Sequence, residues 1–157
     1  MSLKKNKRIV LGADPGAVPL KNMIKKHLIT SGFEITDING ERTDLPFYEA
    51  AAKACHFLLE GNADLGILLC GTGAGVCIAA SQFAGITAVC CESVKTARQA
   101  RVINDANVMT MGAMIVNEET ACAMADAFTS ASFGEGLEAS VRDFLKAAVK
   151  KIAELRS

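Results

Sequence analysis

The sequence predicts an α/β protein: a three-layer α/β/α sandwich around a five-stranded, parallel, Rossmann-like sheet, closed by a long C-terminal helix. Three observations predict it. Short apolar runs alternate with longer periodic ones along the whole chain, the βαβα order that builds an open parallel sheet with helices on both faces. The run Leu65–Cys70 (LGILLC) is unbroken rather than alternating, as expected of a central strand covered on both sides. The last segment places Leu137, Val141, Phe144, Leu145, Ala148, Ile152 and Leu155 largely in steps of three and four, the pattern of an amphipathic helix.

Arg8–Ala13 (RIVLGA) reads as a buried strand that ends in a Gly/Asp/Pro turn. Val18–Thr30 follows as a helix, with Pro19 tolerable because it lies in the first turn. Phe33–Ile38 is a second strand, residues 39–46 a polar loop, and Phe47–Glu60 a second helix stopped by Gly61. After Leu65–Cys70 comes a Gly-rich turn and a helix to about Phe83. Ile86–Cys91 is the fourth strand, Val94–Ile103 a helix, Asn107–Met111 the fifth strand, and Glu118–Ser130 a helix. The final helix is expected over residues 134–156, with its apolar stripe available for a dimer contact. No repeat, low-complexity stretch or linker interrupts the pattern, so the expectation is one domain over residues 1–157. Residues 1–6 are expected to be flexible or partly a cloning remnant and carry no functional weight.

Composition narrows the function. With 17 acidic and 17 basic residues, the chain lacks the basic excess of a nucleic-acid binder. No run reaches the roughly 18 apolar residues of a membrane span, and no signal peptide is recognisable at the N-terminus. The six cysteines lie inside apolar runs and show no CxxC spacing, which fits free thiols in a reducing cytoplasm better than disulfides or a metal site. A cytoplasmic protein that binds neither nucleic acid nor membrane is therefore expected.

In open parallel sheets, ligands bind beyond the carboxyl ends of the strands. Polar residues gather at three such places: Asp14 after the first strand; Arg42, Thr43, Asp44, Pro46 and Tyr48 before the second helix; and Cys70-Gly71-Thr72-Gly73-Ala74-Gly75 after the third. Glycines at alternate positions let the backbone turn tightly and aim successive N–H groups outward, a nest for an anion or a developing oxyanion. A Gly-rich turn around a buried structural cysteine remains the alternative. The run is no dinucleotide fingerprint, because it lacks the third glycine and follows the third strand instead of the first. Nor is it a P-loop, since no Lys-Ser/Thr pair follows it.

The chain resembles the ribose-5-phosphate isomerase B and galactose-6-phosphate isomerase family over nearly its whole length. The resemblance rests on GADPGAVPLK (Gly12–Lys21), ERTDLPFYEAA (Glu41–Ala51), ADLGILLCGTGAGVCIAA (Ala63–Ala80) and NDANVMTMGA (Asn104–Ala113) in this order. It implies an aldose–ketose isomerase working through an enediolate, with Cys70 as the base that moves a proton between C1 and C2. It further implies that Thr72 and the N–H groups of Gly71, Gly73 and Gly75 hold the oxyanion, that Asp14 and Asp44 bind sugar hydroxyls, and that Asn104 faces the site. No metal or cofactor is implied. A homodimer is, with the site shared between subunits and pairing into tetramers left open.

The departures from the family are equally specific. Pro15 and Ile103 stand where the family carries site histidines, the second of which is thought to open the sugar ring. Met114, Leu137 and Val141 stand where it carries phosphate-binding arginines. His27 and His56, the only histidines, fall on helices away from the strand ends. Among cations near the right segments, Arg101 is the best candidate to compensate, ahead of Arg98, Lys95 and Arg142. The missing histidine suggests an open-chain substrate such as a tetrose derivative. A non-catalytic sugar-binding homologue, a subunit of a two-chain isomerase, or a nucleotide or flavin binder are the alternatives.

Overall fold

The structure, a computed structural model, describes residues 7–156; the expectation for residues 1–6 lies outside them. Five strands, β1 (Arg8–Ala13), β2 (Glu34–Asp37), β3 (Leu65–Cys70), β4 (Ala88–Cys90) and β5 (Val108–Gly112), form one parallel sheet in the order β2-β1-β3-β5-β4. The helices are α1 (Val18–Thr30), α2 (Phe47–Leu59), α3 (Ala74–Ala80), α4 (Val94–Val102), α5 (Glu118–Ser130) and α6 (Ala139–Glu154). A short 3-10 turn, Pro15–Ala17, precedes α1.

Each face of the sheet has its own core. Ile9, Leu11, Ile67, Leu69, Met109 and Met111 point to the side covered by α1, α4 and α5, where Phe128, Met124 and Leu28 fill the layer. Val10, Leu68, Cys70 and Val108 point to the side covered by α2 and α3. All six residues of β3 are buried, so both of its faces are consumed by packing, as the unbroken apolar run requires.

The elements fall where the pattern puts them, with differences at their ends that have local causes. β4 is shorter than Ile86–Cys91 because the Ile86 N–H is turned back to the Phe83 carbonyl. Asn107 spends its carboxamide on the chain ahead of β4, accepting from the Thr87 N–H at 2.8 Å and donating to the Gly85 carbonyl at 2.8 Å, and β5 begins one residue later. The last helix starts at Ala139, not 134, because Gly134 and Gly136 both take positive φ (76° and 75°) and turn the chain first. No residue of α6 is buried. Its Phe144 and Ile152 are exposed, as is Leu155 just after it, while Arg156 donates to the carbonyls of Ser81, Phe83 and Ile86. No helix of the described residues is long and apolar enough to cross a membrane.

One polar feature of the interior was invisible to periodicity. Lys21, in the first turns of α1, is 1% exposed, and its Nζ contacts both carboxylate oxygens of Asp37 at 2.8 Å. Lys25 adds a third bond at 3.2 Å. Burial pushes the Asp37 carboxyl up, but the hydrogen bonds and charges of the two lysines outweigh it and hold the group below its ordinary value. A carboxyl lowered in the folded state contributes stability that is complete above its unfolded value and is lost as pH falls through the lowered one. Stability measured by urea denaturation should therefore decline below about pH 4, and Asp37→Asn should flatten that decline. Lys21→Met, which leaves the carboxylate buried without its main partner, should cost about 3–5 kcal/mol in the same measurement at pH 7.

Candidate active site

The order β2-β1-β3 places the sheet's switch point between β1 and β3, where connections leave in opposite directions and a crevice opens beyond the strand ends. Asp14 and Cys70 are the residues at that crevice. Ala13 pairs with Leu69 in the β1–β3 ladder, so Asp14 and Cys70 follow one another across it. The Asp14 N–H donates to the Leu69 carbonyl at 3.1 Å, and the Asp14 carboxylate accepts from the Ala17 N–H at 3.1 Å, capping the 3-10 turn opened by Pro15.

Cys70 is buried, and its Sγ accepts the Gly73 N–H at 3.2 Å. The turn after it is compressed against the end of β5. The Cys70 carbonyl takes the Ala113 N–H and the Gly71 carbonyl takes the Met114 N–H, both at 2.9 Å. Thr110, fully buried on β5, donates its hydroxyl to the Gly73 carbonyl at 2.8 Å. Gly73 has φ of 81°, and a Cβ there would sit 2.8 Å from the Met111 carbonyl carbon. Gly112 is required just as strictly, since its Cβ would lie 2.5 Å from the carbonyl carbon of Thr72. Two glycines, one in the turn and one at the end of β5, thus allow the turn to lie flush on the sheet with the Gly73 N–H facing the sulfur. Thr72 is exposed at the mouth, and its Oγ1 accepts the Ala74 N–H at 3.3 Å. Apolar side chains overhang the outer glycines: the Met114 sulfur over Gly71 and the Phe47 ring over Gly75.

Asp44 is exposed on the loop before α2 and pairs with Arg42 at 3.1 Å, whose hydrogen bond holds its carboxyl below the usual carboxylate range. Asn104 and Arg101 lie elsewhere. They occupy the end of α4 and the turn leading into β5, at the amino end of the sheet, whereas Cys70 pairs with Gly112 at its carboxyl end. Four residue steps of β5 separate these ends, roughly 13 Å of strand. Arg101 donates to the Asp105 carboxylate at 3.1 Å and the Ala106 carbonyl at 2.7 Å, closing the α4–β5 turn around Asp105, whose φ is 49°. Asn104 and Ile103 line a cleft of about 630 Å³ bounded by Leu145, Ile152 and Arg156. Within one chain, then, Asp14, Cys70, Thr72 and the three glycines come together, and Asn104 and Arg101 do not join them.

The other thiols differ in setting. All six cysteines are free, and burial pushes the Cys55 and Cys91 thiols up to about 11 and those of Cys90 and Cys122 upward. His27 pairs with Asp126 at 2.8 Å and His56 stacks edge-on against Phe83, so neither histidine approaches Cys70. Met114 and Val141 are exposed, and Leu137 is half-buried.

Beside this thiol and glycine turn at the switch point of a parallel sheet stands a match to a known class: the model of a family described as Ribose/Galactose Isomerase matches residues 9–144. The chain belongs to that family, and is an isomerase of the aldose–ketose type. It is 38% identical to the 4-deoxy-4-sulfo-D-erythrose isomerase of Clostridium sp. strain MSTE9 over 150 residues, covering 94% of both chains. It is 40% identical to ribose-5-phosphate isomerase B of Escherichia coli K12, covering 83% of this chain and 88% of that one. It is also 38% identical to the D-erythrulose-4-phosphate isomerase of Pectobacterium atrosepticum, covering 82% and 86%. Among solved structures, ribose 5-phosphate isomerase B of Thermotoga maritima superposes with a TM-score of 0.86 at 32% identity, covering 96% of this chain and 99% of that one.

Gly73→Ala should cost on the order of 1–3 kcal/mol from the positive φ alone, and more from the overlap with β5. Urea denaturation reads the loss.

Proposed function

We propose that this protein interconverts the aldose and ketose forms of a four-carbon sugar carrying an anionic group at C4, with Cys70 as the base. The observation that carries the chemistry is the Cys70 sulfur at the switch point, held against the Gly73 N–H. As thiolate, Cys70 would take the proton from C2 of the aldose and return it to C1, through an enediolate. The developing oxygen charge would meet the Thr72 hydroxyl and the N–H groups of Gly71 and Gly75, the Gly73 N–H being turned to the Cys70 sulfur. Asp14 and Asp44 would bind substrate hydroxyls.

Ile103 supports the choice of sugar. It stands where the family carries a ring-opening histidine, and an isoleucine transfers no proton. A sugar whose C4 oxygen is esterified or replaced cannot close a five-membered ring and needs no opening. The Clostridium and Pectobacterium relatives are named for two such tetroses, a 4-sulfo and a 4-phosphate derivative. Met114, Leu137 and Val141 in place of three arginines fit an anionic group held by fewer charges, since each charge-assisted bond contributes about 1.5–3 kcal/mol.

The site is completed by a second copy of the chain. Asn104 is a sheet's length from the Cys70 of its own chain, and α6 carries an apolar stripe with no cover. A two-fold dimer would bring Asn104 of each copy to the Cys70 of the other, giving two equivalent sites.

Turnover of 4-deoxy-4-sulfo-D-erythrose or D-erythrose 4-phosphate should exceed that of ribose 5-phosphate, and Cys70→Ala should abolish both turnover and solvent-deuterium exchange at C1 and C2. Absence of turnover and exchange with all three sugars would sink the enzyme reading in favour of a non-catalytic sugar binder. Mixing inactive Cys70→Ala with inactive Asn104→Ala should restore about a quarter of the wild-type activity, since half of randomly mixed dimers carry one intact site. No recovery on mixing, or a monomer by light scattering at micromolar concentration, would remove the shared site.

A further inference from the structure

We infer that Asn39 is a positioning residue for this reaction, holding the end of β1 so that Asp14 meets the Cys70 turn in fixed register. The inference rests on the isomerase reading above and concerns a residue outside the reacting set. Parallel pairing of β1 with β2 ends at Leu11↔Asp37, and the chain then leaves the sheet through Gly40, whose φ is 55°. The last backbone bond across this edge is the Ile38 N–H to the Leu11 carbonyl at 2.8 Å. Ala13 is thereby left facing a strand that has already turned away.

The Asn39 side chain takes the place of that strand. Its Oδ1 accepts the Ala13 N–H at 2.9 Å and its Nδ2 donates to the Ala13 carbonyl at 2.8 Å. Both bonds are buried, and Asn39 is 4% exposed. The backbone of Asn39 is fixed from behind: its N–H donates to Asp37 Oδ1 at 3.0 Å, and that carboxylate is gripped by Lys21 and Lys25. On its other side, the residue after β1, Asp14, donates its N–H to the Leu69 carbonyl, one residue before Cys70. A continuous hydrogen-bonded line therefore runs from the buried Lys21–Asp37 pair, through Asn39 and Ala13, to Asp14 and the strand that ends in Cys70. A structural need to satisfy Ala13 would be met by any strand residue; a side chain that grips both groups of the residue before Asp14 also sets where Asp14 lies.

The test is a double-mutant cycle read in kcat/KM and KM with the tetrose substrate. Asn39→Ala should raise KM about tenfold with a smaller effect on kcat, the size of one lost hydrogen bond to substrate. If Asn39 acts through Asp14, Asn39→Ala should add little to Asp14→Ala. Arg8→Ala, at the opposite end of β1 where the guanidinium binds Asp64 and the Gly61 carbonyl, should lower the Tm without moving KM. If Asn39→Ala does not fold, Asn39→Ser, whose hydroxyl can satisfy one of the two Ala13 groups, takes its place in the cycle. Full additivity of the two substitutions in an active enzyme, or an equal KM change in Arg8→Ala, would overturn the role of Asn39 and leave the isomerase reading standing. A wild type inactive on every sugar tested would overturn both.

Discussion

The pairing of β1 with β3 governs everything that happens at the crevice. Five register pairs, from Ile9↔Leu65 to Ala13↔Leu69, bring two strands to an end side by side. Because both run in the same direction, their next residues emerge together on one edge of the sheet, and those residues are Asp14 and Cys70. A slip of one residue would turn Cys70 to the other face, into the layer occupied by α1, α4 and α5. The register is held by packing on both faces at once, which is why β3 contains nothing but apolar residues and Gly66.

That constraint creates a difficulty at the strand ends. A backbone that must stop abruptly leaves N–H and C=O groups facing away from any ladder, each costing about 1–3 kcal/mol if buried without a partner. The molecule answers with side-chain amides at two of these places. Asn39 closes the free side of β1, and Asn107 closes the gap before β4 by bonding Thr87 and Gly85. At the end of β5 the answer is different: Gly112 lets the Cys70 turn come close enough for the carbonyls of Cys70 and Gly71 to find backbone donors.

Much of this was legible in the sequence. The unbroken Leu65–Cys70 run, the periodic helices and the Gly-rich turn identify the sheet, its layers and the thiol at its edge, because each depends on local pattern. α1 and α5 have the limits their apolar spacing predicts. What depends on distant partners was hidden. Lys21 looks like the polar face of an amphipathic helix, and only the return of β2 makes it a buried cation. Asn39 looks like a loop residue before a glycine. Gly112 reads as the end of a strand, although it is needed by the turn on β3. Arg101 looked directed toward the site, yet βαβ geometry sends the end of α4 to the amino edge of the sheet.

The six thiols add a vulnerability of a chemical kind. In the folded chain, burial pushes the Cys55 and Cys91 thiols up to about 11 and raises those of Cys90 and Cys122, so the thiolate form is further suppressed. Their protection is conformational and disappears when the surrounding helices separate, since an exposed thiol ionises far more readily. An opened chain would present several reactive sulfurs at once, two of them adjacent at Cys90 and Cys91, and oxidation at that moment would trap it in cross-linked forms that cannot refold. For these four thiols, reaction under oxidising conditions is thus tied to how often the chain opens, and their count among the reactive sulfurs reports that opening.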